Sequence, residues 1–498
     1  MKNNKSSLLK ILVTVVLIAG LFTAGCLENA KVPSLKKSKS SKSSMPEVNL
    51  RKIKYPKLGD IQFPEITRVT LPNGIKLFLL EDHELPLINA SVVIRSGTIY
   101  DPVGKIGLAE ITGEVMRTGG TTSKTGDEID ELLESIAASV ETRVGSDSAS
   151  IYMSVLKEDI DTVLEIMADI LQNPAFPEDK IELAKIEQTS AIARRNDNPG
   201  SIAQREYYKL IYGPDSVYAR QTEYAAINSI TRGELVAFHK QYFLPNNARL
   251  AVWGDFDTTE MVEKITKAFD MWKQGNILLS YIPDVTYDFP TTVNLIRKDD
   301  INQSNIYLGH IGGVMNDPDY FALILMNRVL GQGFTSRLFR NIRSRMGLAY
   351  SVFGNYSSEY DHPGVFFVGC QTKSAETVKA VEAMKNEIRR MAEVEVTKEE
   401  LEIARESFLN TFVFNFDSKA EIISRLVTYD YYGYPEDFLF QMKRNVEEVT
   451  GADILRVSQK HLNPNSLQIL VVGKAADFDQ PLDVLGEVRE IDITIPNP

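Results

Sequence analysis

Thr231-Arg-Gly-Glu-Leu235, Leu244-Pro-Asn-Asn247 and Leu250-Ala-Val-Trp-Gly254 recur as Thr450-Gly-Ala-Asp-Ile454, Leu462-Asn-Pro-Asn-Ser466 and Leu470-Val-Val-Gly473. In both copies the threonine stands 14 residues before a proline, and that proline 9 before a glycine, at an offset of 219 residues. Solenoid units return every ~20 to 50 residues, because each is too small to bury a core alone. An offset this long means one whole domain written twice.

Around these anchors each copy carries the same kinds of element. Ser148-Ala-Ser-Ile-Tyr-Met-Ser-Val155 alternates apolar and polar residues, the period of a half-buried strand. Asp159 to Leu171 and Ala375 to Val394 place apolar residues at helical spacing. Strands interleaved with paired helices predict an α+β fold of two duplicated domains, each an antiparallel sheet packed with helices. The stretch from Trp272 to Pro290, with Pro283 and several turn residues, marks the junction. The domains are therefore expected over residues 60–273 and 290–498, joined by a linker over 274–289 in which Gly275 is the one candidate hinge.

The N-terminal region reads differently. Lys2, Lys5 and Lys10 precede an apolar run from Ile11 to Gly25, short for a membrane span but suited to the core of a signal peptide over residues 1–25. The run ends Thr23-Ala-Gly-Cys26, which resembles the bacterial lipobox and makes Cys26 the expected lipidation site, with Thr23 departing from the usual leucine. Residues 26–59, including Lys36-Lys-Ser-Lys-Ser-Ser-Lys-Ser-Ser44, hold too little apolar content to fold and read as a tether. With Cys26 acylated, Cys370 has no partner for a disulfide, so an exported body must rely on its core. The formal net charge of -12, with many lysines confined to the leader and tether, leaves the body strongly acidic and argues against nucleic acid.

One further stretch carries chemistry by what it lacks. Gly107-Leu-Ala-Glu-Ile-Thr-Gly-Glu-Val-Met-Arg-Thr-Gly119 has the frame of the inverted zinc motif, His-x-x-Glu-His. In that motif two histidines on one helix face hold the metal and the intervening glutamate activates water. Here the three positions read Glu110, Gly113 and Glu114. No imidazole is offered, and a glycine stands where the base belongs. The five histidines, His83, His239, His310, His362 and His461, include no pair at ligand spacing.

Together with Leu71-Pro-Asn-Gly-Ile-Lys76, Leu132-Leu-Glu-Ser-Ile-Ala-Ala-Ser-Val140 and Asn173-Pro-Ala-Phe-Pro-Glu178, this stretch resembles the pitrilysin-type zinc peptidases, which include the mitochondrial processing peptidase. The resemblance runs from about Thr67 to about Phe478. It places the third zinc-ligand position at Ser190 or Ala191, both unsuitable, with Glu187 about one helical turn early. It also covers Gly331-Gln-Gly-Phe-Thr-Ser-Arg-Leu-Phe-Arg-Asn-Ile-Arg343-Ser-Arg-Met-Gly-Leu-Ala-Tyr350, matching an Arg and Tyr that hold the substrate backbone in the family, with Gln332 as a departure in the glycine-rich turn.

The resemblance implies half of a clamshell, with no metal bound and no catalytic residue in this chain. Arg343 and Tyr350 are then the substrate-binding residues, and Glu110, Gly113, Glu114 and Ser190 the degenerate zinc positions. The implied partners are a homologous zinc-bearing subunit, a peptide or unfolded-protein substrate, and a membrane reached through the lipid anchor. The implied place is the cell envelope, on the periplasmic face where there are two membranes. The alternative from another class is a non-enzymatic scaffold or peptide-binding lipoprotein of the same fold.

Overall fold

The computed structural model describes residues 64–287 and 291–496. The expected leader, the tether and Cys26 lie outside the described residues. Strands β1 (Thr67–Thr70), β2 (Lys76–Glu81) and β3 (Leu87–Arg95) open the body. Helices α1 (Leu108–Thr118) and α2 (Gly126–Ser135) follow, then β4 (Ser139–Val144) and β5 (Ser148–Leu156). Helices α3 (Ile160–Gln172), α4 (Glu178–Arg194), α5 (Pro199–Tyr212), α6 (Tyr224–Ser229) and α7 (Arg232–Tyr242) come next. Strand β6 (Ala248–Gly254) and helix α8 (Thr258–Ala268) complete the first half.

The second half starts with β7 (Val293–Arg297), β8 (Gln303–Ile311), the two-residue β9 (Gly313–Val314) and α9 (Tyr320–Leu330). A π-helical turn (Phe339–Arg345) leads into β10 (Ala349–Tyr356), the two-residue β11 (Ser358–Glu359) and β12 (Val365–Lys373). Helices α10 (Thr377–Glu393), α11 (Lys398–Phe412), α12 (Lys419–Tyr432), α13 (Phe438–Glu448) and α14 (Gly451–His461) precede β13 (Gln468–Gly473) and β14 (Val488–Glu490).

The duplication is visible in the sheets. Their strand orders, β1-β2-β6-β3-β5-β4 and β14-β7-β13-β8-β12-β10, match over the five inner and far-edge positions, from β2 to β4 and from β7 to β10, while the remaining edge strand comes from the start of the first half, antiparallel, and from the end of the second, parallel. The repeated threonines start α7 and α14: Thr231 pairs with Glu234, and Thr450 with Asp453, as reciprocal capping boxes. Strand β5 buries Ala149, Ile151, Met153 and Val155 while Tyr152 faces out, as its alternation predicts. Each sheet is six-stranded and mostly antiparallel. The expectation of purely antiparallel sheets needs one correction: β6 runs parallel to β2, and β7 parallel to both β13 and β14. A hairpin forces antiparallel pairing, whereas a strand returning after several helices can enter from either end.

The strands of the two sheets lie in residues 67–254 and 293–490, but the cores are shared. Helix α5 of the first half packs Ile202, Ala203, Tyr207 and Ile211 on Ile296, Val365, Leu470 and Val472 of the second sheet. Helix α12 answers it, placing Ile423 and Val427 on Phe78, Leu80, Ala251 and Trp253 of the first. Asp430, on α12, accepts from Arg249 at 2.6 Å and Lys76 at 2.9 Å. Each exchanged face removes apolar surface from water, worth about 25 cal/mol per Å², and so holds the halves together. Gly275 does not act as a free hinge: Asn246 holds its N–H and C=O at 3.2 and 2.9 Å, and a Cβ there would fall 2.8 Å from Leu244.

Candidate functional site

Helix α1 is positioned from its N-terminus. The Asp101 carboxylate accepts the N–H groups of Gly107 and Ala109, each at 2.8 Å, satisfying donors that a helix start leaves unpaired. Burial nevertheless lifts the Asp101 carboxyl to about 6 against those two bonds. Gly107 has φ 106°, and a Cβ there would lie 2.6 Å from Ile227 Cδ1, so only glycine fits this entry turn. Six residues on, Gly113 does a different job. Its missing Cβ would lie 2.3 Å from Val144 Cγ2, and Thr142 Oγ1 donates to its carbonyl at 2.6 Å. Strand β4 therefore fills the space that a catalytic glutamate at 113 would need.

Glu110 and Glu114 border a shallow pocket beside Glu141, Thr142, Val144 and Gln188. Burial, then the charge and hydrogen bond of Glu187, then the charge of Glu110, push the Glu114 carboxyl up to about 7. Burial raises Glu110 as well. The nearby guanidinium gives no relief, since Arg117 is committed to the Val140 carbonyl at 2.5 Å and Asp130 at 2.6 Å. Ser190 is exposed and turns its hydroxyl back to the Ile186 carbonyl at 2.7 Å. The α4 residue that acts on Glu114, by charge and hydrogen bond, is Glu187, which the spacing argument set aside. Its position three residues before Ser190 puts it on the same helix face, the one signal by which sequence reasoning could have kept it.

Burial and the neighbouring Glu187 and Glu110 carboxyls thus disfavour the ionised form of Glu114. Zinc prefers His and Cys in tetrahedral sites, and calcium or magnesium takes six or more oxygens. Neither donor set is present around α1. Among the described residues, the one group of His, Cys, Asp and Glu close enough to share an ion is Asp317, Asp319 and His461. There Asp319 is already claimed by Arg456 at 2.6 Å, Lys460 at 2.7 Å and His461 at 2.8 Å. His239 and His310 are buried against backbone carbonyls, and burial lowers both to about 4. His83 and His362 face carboxylates at the surface, and Cys370 is buried in β12.

Arg343 and Tyr350 sit on two local irregularities. Arg343 belongs to the π turn, in which the Met346 N–H reaches the Asn341 carbonyl at 2.9 Å, and Asn341 is anchored to buried Glu387 at 2.8 Å. Its guanidinium lies 4.7 Å from the Phe339 ring and makes no hydrogen bond or ion pair among the described residues. Tyr350 falls in the register break between Ala349↔Thr372 and Ser351↔Gln371, a bulge that leaves its ring 76% exposed. Such bulges and π turns re-aim side chains and recur at functional sites. Both donors are thus presented to solvent, and both are uncommitted.

Residues 77–213 match the description Insulinase (Peptidase family M16), and residues 229–408 match Peptidase M16 inactive domain. Together they cover more than half of the chain. The chain belongs to the M16 peptidase family. An uncharacterized zinc protease of Rickettsia bellii is 27% identical over 416 residues, 80% of this chain and 96% of the relative. A non-peptidase homolog, YmxG of Helicobacter pylori, is 23% identical over 79% of this chain and 90% of its own length. In fold, the chain is similar to the crystal structure of a peptidase M16 inactive domain from Pseudomonas fluorescens, with a TM-score of 0.75 and 23% identity over 84% of this chain and 99% of that one. This M16 chain is a non-catalytic homologue of the family's peptidases.

Proposed function

We propose that this chain is the silent subunit of a heterodimeric zinc peptidase, tethered in the cell envelope through an acylated Cys26. Arg343 and Tyr350 hold the backbone of a peptide or unfolded-protein substrate, and a homologous partner supplies zinc and the general base. The observation that carries this reading is an asymmetry between the halves. In the first, Val144 closes the base position and the ligand positions hold carboxyls; in the second, a guanidinium and a phenol stand exposed on a π turn and a bulge. A guanidinium fork and a phenol can bond a peptide carbonyl and stabilise the oxyanion that develops on it. Gly347, at φ 65°, and Leu348-Ala349 complete the turn between them.

The test is reconstitution. The chain is purified from native membranes with whatever binds it, and the partner is identified by mass spectrometry. Arg343→Ala and Tyr350→Phe should leave the complex assembled, since both side chains are exposed. Turnover should fall about a hundredfold for loss of one positioned donor, on the order of 3 kcal/mol. A complex of unchanged size and unchanged turnover in both variants would refute the substrate role and leave the scaffold reading. Mass spectrometry of the mature N-terminus tests the anchor, and an unmodified terminus downstream of Cys26 would remove it.

A further inference from the structure

Behind the glycine-rich turn that leads to Arg343 lies a group of charges that does not balance. Arg337, 3% exposed, donates from Nε and Nη2 to Glu400 at 2.9 and 2.8 Å, and Arg340 Nη2 donates to the same carboxylate at 3.0 Å. The Thr397 N–H takes a further place on Glu400 at 3.0 Å. Burial would raise this carboxyl, but Arg337, the Thr397 N–H and Arg340 bring it down to about 2, so it is fully ionised and its lone pairs are spent. Arg328 lines the same pocket as Arg340 and Glu400 and makes no ion pair among the described residues. It bonds the Ser407 hydroxyl at 3.1 Å and stacks 5.3 Å from Phe408, and burial lowers its pKa. Two guanidiniums therefore share one carboxylate, with a third beside it unmatched, in an otherwise acidic body.

A second observation points the same way. Arg328 Nε, Arg337 Nη1 and Arg340 Nε are all buried donors without a hydrogen-bond partner. Unpaired buried N–H groups are rare, and several on like-charged neighbours call for an acceptor carrying negative charge. Between Arg328, Arg340, Gln332, Thr335 and Ser407 lies a cavity of about 20 Å³, room for one oxygen atom, open to solvent on its outer side. Thr335 and Ser407 add two hydroxyl-bearing side chains to its lining.

We propose that this pocket binds a small oxyanion, one oxygen entering between Arg328 and Arg340 and the rest of the group remaining at the surface. The oxygen accepts from the guanidiniums, and the excess positive charge is neutralised. Because Gln332 and Thr335 belong to the turn Gly331–Thr335 that precedes the π segment, occupancy ties that turn to α11. Inorganic phosphate and a carboxylate, such as an acidic residue of a bound peptide, share this chemistry.

Calorimetric titration of the purified chain with inorganic phosphate, and separately with acetate, at constant ionic strength decides the matter. A saturable single site for either anion is the expected result: stronger phosphate binding points to the free ion, stronger acetate binding to a carboxylate. Arg328→Gln should weaken it by roughly tenfold or more. Thr335→Val, exposed and uncharged, should weaken it less and serves if the arginine variant fails to fold. Absence of saturable binding of both anions up to about 50 mM, or equal affinity in the wild type and both variants, would overturn the proposal.

Discussion

Gly113→Ala should destabilise the first half of this chain, against the usual sign of that change. In a helix interior, alanine is favoured over glycine by about 1 kcal/mol. Here the new Cβ would meet Val144 Cγ2 at 2.3 Å, more than 1 Å inside ordinary carbon contact at about 3.5–4.0 Å. Relief is limited on both sides. Val144 is β-branched and stiff about χ1, and β4 is tied to α1 by the Thr142 to Gly113 bond at 2.6 Å and the Arg117 to Val140 bond at 2.5 Å. Overpacking of this kind costs about 1–3 kcal/mol, so the net loss should be about 1 kcal/mol or somewhat more.

The companion change isolates the cause. In a Val144→Ala background the nearest remaining side-chain atom is the Cβ of residue 144, at 3.5 Å, an acceptable contact. Gly113→Ala should then stabilise by about 1 kcal/mol, giving a coupling energy of about 2–3 kcal/mol between the sites. Both tryptophans of the chain, Trp253 and Trp272, lie in the first half, so urea unfolding followed by intrinsic fluorescence reports on the right region. Gly113→Ala stabilising equally in both backgrounds would refute the steric account. The same geometry predicts that Glu110→His, Gly113→Glu and Glu114→His, made together, restore no peptidase activity while Val144 stands, since the base has no room. Chelator-sensitive peptide cleavage by that triple variant would contradict it.

Glu114→Gln tests the raised Glu114 carboxyl. Its folded carboxyl lies at about 7 and its ordinary value is 4.5, so its contribution to stability is fully present below about pH 4.5 and lost as pH rises to about 7. Glutamine mimics the protonated form, so the variant should gain about 1–2 kcal/mol over wild type at pH 8, after discounting for partial solvent access, and nothing at pH 4; urea midpoints at the two pH values decide it, and an equal difference at both would refute the shift. Asp319→Asn should cost about 2–3 kcal/mol at neutral pH, because Arg456, Lys460 and His461 lose a common charged acceptor. Those partners hold Asp319 below the usual carboxylate range, so the wild-type advantage should fade as pH drops below about 4, which acid titration of stability would show. Asn341→Ala strips buried Glu387 of one donor and should cost about 1–2 kcal/mol, with loosened hydrogen-exchange protection at Met346 and Leu348, the amides that close the π turn.

Much of the fold is legible in the sequence because it depends on local pattern. The repeated Thr231 and Thr450 start matching helices, and the alternation from Ser148 to Val155 sets one face of β5 against the core. What is not legible depends on how distant segments cross. No local pattern says that β6 enters parallel to β2, or that α5 and α12 each cover the other half's sheet. Glu187 shows the same limit at the site. Spacing along α4 leads to Ser190, but the angle at which α4 crosses α1 decides which turn faces Glu114, and tertiary packing sets that angle. The π turn and the bulge at Tyr350 carry no composition signal, since the residues around them are compatible with regular structure.

The backbone that carries the two candidate sites differs in regularity. In the first half, Glu110, Gly113 and Glu114 lie on a regular helix, capped by Asp101 and packed tightly through Gly113 against Val144 of β4. In the second half, ahead of the strand β10 that answers β4, the chain adopts a π turn pinned through Asn341 to Glu387 and then a broken β register, and on those two features stand Arg343 and Tyr350, with no hydrogen-bond partner among the described residues. Two donors exposed on a π turn and a bulge are what the proposed substrate role requires, and the Arg343→Ala and Tyr350→Phe variants of the assembled complex test it.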